Sequence, residues 1–367
     1  MAADVFLWRL PDQPGAELAP ADPRPGFRRL VEATGPHPLG AAGGARAIKV
    51  HLGAPGRPAV IAPAWAREVA AAAASGQIPH ALVTETMSIG TRGLDTAAAL
   101  RATAGAKGFG QDPDLPFVVG DDPAGPAALP AAAIPGGRLT DHDLAGVLRG
   151  IGGLFLLNPV RAHPHLGVVG AVAALGLEMA DRASRLRLHA GIRPQVDTPL
   201  CAGCGSCLDV CLYDAIVIRA GRATIDHQLC TGCGECMGVC FMAGIAPEDA
   251  GGIPVFQEDV AEAAAAAAQS LHATGSGARS ALSVNCLIHL GAQTTASKAR
   301  RRPAVGGIGI LASRDPVALD AATFDLLEAR LGAPLAEWTG YPHGPAALLA
   351  RAEALGLGRR EHRMREV

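Results

Sequence analysis

The chain has 367 residues, 49% of them apolar and 18% charged, enough to bury a sizeable core and too apolar for a disordered segment. Thirty-two basic against 34 acidic side chains leave a formal charge of −2, so no overall field draws nucleic acid or an anionic membrane to it. Only 4% of residues are aromatic, and Ala and Gly carry much of the apolar count, which favours close helix–sheet packing.

The first nine residues place only Val5 to Trp8 ahead of Arg9, too short an apolar run for a secretory signal. Short apolar runs bounded by turn residues predict buried strands at 47–52, 81–84, 117–119, 153–157, 282–287 and 308–311. Ala-rich stretches between them predict helices at 65–74, 94–104, 141–148 and 259–272. Strands alternating with helices imply an α/β sandwich on a largely parallel sheet. Residues 121–138, rich in Pro, Gly and Ala, read as a loop or insertion. The longest apolar run, 166–177, ends at Glu178, short of the roughly 20 residues that cross a bilayer. Near the C-terminus Asp315 can cap a helix with Pro316 at its first position, ended by Gly332; another helix spans about 345–355, followed by a charged tail.

Eight of the nine cysteines fall between Cys201 and Cys240. Clustering without a secretory leader points to a reducing compartment, the cytoplasm, rather than to a disulfide scaffold. The segment Asp197–Cys201 returns as Asp226–Cys230, an offset of 29 residues. Between the copies 216–219 and 222–225 flank Ala220-Gly221, a candidate hairpin. Residues 193–250 therefore read as a two-fold repeat module set between 1–192 and 251–367 of a single α/β domain.

Copy one is Cys201-x2-Cys204-x2-Cys207-x3-Cys211, and copy two is Cys230-x2-Cys233-x2-Cys236-x3-Cys240. This spacing is that of two-cluster bacterial ferredoxins, in which the fourth cysteine of each run ligates the other run's cluster. Carried onto this chain, one [4Fe-4S] cluster takes Cys201, Cys204, Cys207 and Cys240, and the other takes Cys230, Cys233, Cys236 and Cys211. Gly203, Gly205, Gly232 and Gly234 stand between ligands, where the backbone turns tightly and aims N–H groups at sulfur. A zinc site uses only two Cys-x2-Cys pairs and leaves half of these thiols idle. Leu212 and Phe241 replace the proline that follows the fourth cysteine in the ferredoxin run; with Met242 they are expected to shield the clusters from water and lower their potentials. Cys286, in an apolar strand, reads as a core residue.

Nearly end to end, the sequence resembles the ferredoxin-containing proteins of the domain of unknown function 362 family. The resemblance rests on Ala47–Gly56, on Thr84-Glu85-Thr86, on Gly309–Asp320 and on Ala354–Glu361. It implies an α/β unit interrupted by a dicluster ferredoxin-like insert, with no settled reaction. The middle departs from the family: Arg161-Ala162-His163 stands where Lys-Gly-His is usual, Ala173-Ala174 replaces a Lys-Asn pair, and Gln293-Thr294-Thr295 lies where a Cys-x-Cys is common.

A second site is expected near His163 and His165, which follow a predicted strand in the loop 158–165, as ligands or acid–base groups, with Arg161 holding an anion. Glu85, and Arg314 with Asp315, also end strands and are candidates to converge there. The basic run 298–302 reads as a solvated loop or a docking point for an acidic redox partner, not as a nucleic-acid site. No nucleotide fingerprint is present: Gly40–Gly44 lacks the G-x-G-x-x-G pattern, and 307–312 fits a looser form only inside a strand. Three functions follow. The leading one is an electron carrier with two [4Fe-4S] clusters, serving a partner protein or a small ligand on the α/β body. The second is an oxidoreductase with its reaction near His163, His165, Arg161 and Glu85, and the third an assembly protein or scaffold with structural clusters.

Overall fold

A computed structural model describes residues 2–10, 24–35, 45–57, 61–73, 81–273, 281–288 and 307–367. Eight strands form its main sheet: β1 (Ala3–Arg9), β2 (Ala45–Lys49), β3 (Ala81–Glu85), β4 (Phe117–Val119), β5 (Ile151–Pro159), β6 (Ala281–Leu287), β7 (Gly309–Ser313) and β8 (His362–Glu366). Their order is β8-β1-β7-β6-β5-β2-β3-β4, and β7 alone runs against the rest. The molecule is thus a mixed α/β protein on a large, largely parallel sheet.

β5 sits at its centre, and all nine of its residues are buried. Leu154 and Leu156 face one core with helices Ala171–Gly176, Gly252–Ala273 and Pro316–Leu331, while Phe155 and Leu157 face a second core with helices Arg24–Ala33, Pro63–Ala73 and Ala97–Ala106. A strand covered on both sides is apolar throughout, which is why it reads as an unbroken run. Small residues let the layers close: a Cβ on Gly176 would overlap the Val260 carbonyl of helix Gly252–Ala273. Cys286 lies within the second core, and burial pushes its thiol up.

The predicted strands reappear within two or three residues, and so do helices Pro63–Ala73, Ala97–Ala106, Pro316–Leu331 and Ala346–Ala354. Asp315 caps as expected, its Oδ1 accepting from Val317 N and Ala318 N. Helix Gly252–Ala273 starts seven residues before its expected first turn. The helix expected at 141–148 does not form. Asp143–Leu144 pairs with Leu129–Pro130, Asp143 N donates to Ser184 Oγ, and only Gly146–Leu148 makes a 3-10 turn. The basic run 298–302, Gln293–Thr295 and Gly40–Gly44 lie outside the described residues. Among the described residues no helix is long and apolar enough to cross a membrane.

Residues 194–247 build a separate small core from Cys207, Ile216, Ala223, Cys236, Met237, Val239 and Ile245. Pro194–Val196 pairs with Ile245–Pro247, and the expected hairpin pairs Ile216–Arg219 with Arg222–Ile225. The repeat extends to the backbone: Asp214 and Ala243, one offset apart, both take left-handed φ, 51° and 52°.

Behind β6 lies a buried carboxylate. Asp320 accepts from Ala171 N (2.6 Å), Val172 N (2.9 Å) and Asn285 Nδ2 (2.8 Å), yet burial pushes its pKa up to about 6. The folded state therefore takes up a proton between the ordinary carboxylate range and pH 6, and stability from this group falls as pH rises through that window. Asp320→Asn mimics the protonated form. Its stability deficit relative to the parent is expected to shrink by up to about 3 kcal/mol between pH 4 and pH 7, measured by denaturant unfolding in matched buffers. A deficit that does not change with pH would refute this role.

Candidate functional site

Strands β2, β3 and β5 end side by side. The chain leaves β2 toward β3 and β4 on one side, and returns through β5 on the other, so the crevice between β2 and β5 is where such sheets bind ligands. Lys49, the last residue of β2, is 1% exposed. Its Nζ donates to Glu178 Oε2 (2.7 Å) and the Val50 carbonyl (2.9 Å) and lies 2.9 Å from Glu85 Oε1, which accounts for its three protons. Glu85 closes β3, and Glu178 comes from the turn after helix Ala171–Gly176. Arg161, two residues past β5, pairs with Glu178, and His51 Nδ1 lies 3.6 Å from Glu85.

Burial alone disfavours every charge in this group. For Lys49 it is outweighed by Glu178 and Glu85, which hold the ammonium above its usual range. For Glu178 it is outweighed by Arg161, Lys49 and His51, and for Glu85 chiefly by Lys49, so both carboxylates stay well ionised. His51 goes the other way: burial and Arg161 lower it.

His163 sits on a short hairpin, Arg161–His163 against Gly167–Val169. Its Nδ1 accepts from His165 N and Leu166 N, both at 3.2 Å. Two donors on Nδ1 leave Nε2 as the protonated nitrogen of a neutral ring. Burial, His165 and His189 keep the ring neutral by lowering its pKa well below the usual value. Arg161, His163 and Glu85 thus meet in one cavity. His165 is held apart from it: its Nε2 donates to the Gly232 carbonyl (2.8 Å), and its ring packs on His189 and Phe256. Arg314 and Asp315 follow β7, the reversed strand, and so lie at the opposite edge of the sheet. They do not converge with His163. Lys49, His51 and Glu178 were not read as site residues in the sequence; a lone Lys inside a buried strand, and a single Glu closing an apolar run, were the available signals.

The thiols fall into two sets. Cys201, Cys204, Cys207 and Cys240 line one cavity together with Gly203 and Met242. Cys236 is buried, which raises its thiol, and Cys233, Cys230, Cys207 and Cys211 are near enough to raise it further. Burial pushes Cys233 up to about 12. N–H groups reach three sulfurs: Ala223 to Cys201 (3.4 Å), Gly232 to Cys230 (3.4 Å) and Gly244 to Cys240 (3.2 Å). Of the residues expected to shield the sulfurs, Met242 does line the first cavity but is 42% exposed, and Phe241 faces solvent at 52%. Among the described residues no three His, Cys, Asp or Glu side chains close on a single ion. A four-iron cube takes one thiolate per iron, which keeps its donors farther apart.

The second set is bolted to the α/β body. Gly232 has φ +75°, and a Cβ there would overlap the carbonyl oxygens of His189 and Ile192. Tyr213 Oη donates to the Ile89 carbonyl (2.8 Å), and Arg92 to that of Cys211 (3.4 Å). Cys233 consequently lines the same cavity, of about 120 Å³, as Arg161, His163 and Glu85.

The sequence pattern of the family described as Domain of unknown function (DUF362) matches residues 47–325. No curated protein matches the chain. Among solved structures, a protein from Thermotoga maritima is 10% identical, the match covering 86% of this chain and 58% of that one, with a TM-score of 0.38. The lactate racemase apoprotein from Thermoanaerobacterium thermosaccharolyticum is 11% identical over 70% of this chain and 57% of that one, with a TM-score of 0.31. The chain spans less than two thirds of the length of either.

Proposed function

The chain belongs to the DUF362 family, and we propose that it is an electron-transfer member of it that carries two [4Fe-4S] clusters in an inserted ferredoxin-like module, residues 193–250, and works in the reducing cytoplasm. The observation that carries this reading is the cavity that gathers Cys201, Cys204 and Cys207 of the first run with Cys240, the fourth cysteine of the second. The donor chemistry fits. Buried thiols this hard to ionise become thiolates readily only on a metal, and the left-handed Gly232 aims its N–H at the Cys230 sulfur. When bound, the clusters supply one-electron transfer.

The chain's own residues divide the labour. Cys204 is exposed, shares its cavity with the exposed Met242, and gives a partner protein access to the first set. Cys233 and Cys236 are enclosed, and Cys233 faces the cavity of Arg161 and His163. That placement favours a second reading, an oxidoreductase whose reaction takes place in the cavity, over a scaffold with structural clusters.

Anaerobic reconstitution is expected to give about eight iron and eight sulfide per chain. Paired variants test the crossed ligation. Cys211→Ser with Cys230→Ser removes two ligands of one set and should keep about four irons, whereas Cys211→Ser with Cys201→Ser strikes both sets and should keep almost none. The reverse outcome assigns each run its own cluster; a colourless, iron-free parent ends the proposal.

A further inference from the structure

The cavity beside Cys233 has a donor-rich wall. Arg161 and Arg185 line it, and each carries a buried guanidinium nitrogen with no partner among the described residues, Nη1 and Nε respectively. His163 lines it too, and with Nδ1 occupied its Nε2–H meets no acceptor among the described residues. The neighbouring carboxylates are already engaged: Glu85 with Lys49 and His51, Glu178 with Lys49 and Arg161, and Asp121 with Arg185 at 2.7 Å. Buried N–H groups of this kind are costly unless an acceptor reaches them.

We propose that this cavity binds a small monocarboxylate, its oxygens accepting from Arg161 and His163, within reach of Cys233. Unpaired N–H groups on guanidinium and imidazole suit a group that only accepts, and a guanidinium matches a carboxylate in shape as well as charge. An amide of the same shape brings its own N–H2 against those donors and is rejected. Size sets the upper bound: about 120 Å³ is somewhat less than the roughly 150 Å³ cavity that takes a benzene ring. A second carboxylate is disfavoured by Glu235 and by His189, which also line the wall. His189 Nδ1 donates to the Arg185 carbonyl (2.8 Å), so its Nε2 presents a lone pair. This deepens the electron-transfer reading by naming the class of molecule at its inner end, and only the placement beside a cluster rests on that reading.

Acetate is the probe, with acetamide and malonate as controls, titrated into the reconstituted full chain and followed by isothermal calorimetry. Saturable acetate binding is expected, with acetamide and malonate each weaker by about tenfold or more, the worth of one charge-assisted hydrogen bond. Arg161→Gln should weaken acetate by a similar factor. Because Arg161 also pairs with Glu178, His163→Ala serves as a second variant that leaves that pair intact. Acetate and acetamide binding alike, or both variants binding acetate as the parent does, overturns the proposal. Iron is assayed on the same sample. A chain that binds acetate selectively but holds no iron sinks the electron-transfer reading and leaves the carboxylate site standing.

Discussion

Lys49→Met is expected to destabilise the protein by about 3–5 kcal/mol, the cost of removing one partner from a buried ion pair. The ammonium is buried between Glu85 and Glu178, and the neighbouring Arg161 pairs with Glu178. Its loss leaves two carboxylates facing each other in a low-dielectric setting, with His51 kept neutral by burial and by Arg161. The pH dependence should change sign. In the parent, both carboxylates are held below their ordinary range, so their contribution is complete above the usual carboxylate pKa and is lost as pH falls through the lowered values. In the variant at least one carboxylate is pushed up, the folded state prefers the proton, and stability falls as pH rises. Adding Glu85→Gln removes the repulsion while sparing the Arg161–Glu178 pair, so the double variant should be more stable than Lys49→Met alone, a non-additivity that denaturant midpoints measure directly. A single-variant loss below about 1 kcal/mol would mean that the network is solvated and worth no more than a surface ion pair.

Gly232→Ala carries the second large effect. The left-handed φ of +75° by itself costs a non-glycine residue about 1–2 kcal/mol. The added methyl also meets two backbone carbonyls, those of His189 and Ile192, which cannot rotate away as a side chain would. The turn must lift off the α/β body, and the His165–Gly232 hydrogen bond goes with it. The variant is expected to load about four irons rather than eight while the circular dichroism of the body stays near that of the parent. Gly203→Ala, at the same place in the other copy, meets the Gly221 carbonyl of the hairpin and should cost the other four. Full loading in Gly232→Ala would show that this turn is not the seat of the inner set.

Much of the fold is legible residue by residue because the signals are local. β5 announces itself as an apolar run, Asp315-Pro316 as a helix start, and the Ala220-Gly221 turn as a hairpin with φ of 48° and 73°. One edge of the sheet is not legible in this way. β8, His-Arg-Met-Arg-Glu, is exposed at four of its five residues and held mainly by backbone pairing with β1, so no apolar alternation marks it. The helix expected at 141–148 failed for a related reason: Leu144 and Asp143 spend their backbone groups on residues far away in sequence, Leu129, Ala180 and Ser184.

The candidate site divides along the same line. Spacing alone determines that eight thiols form two runs with glycines between them, because cysteines three and four positions apart are placed by one tight turn of chain. Glu85, Arg161 and His163 could be suspected from their positions after strands. That they share a cavity with Lys49, Glu178 and Cys233 was decided only by the tertiary structure. Lys49 and Glu178 are 129 residues apart and are joined by the reversal of strand order between β2 and β5, while the docking of the Gly232 turn on His189 brings Cys233 to the same cavity. Charges that distant in sequence leave no local trace beyond being lone polar residues in apolar surroundings. Their partners are fixed by packing, where an unpaired buried charge costs more than any local preference can offset.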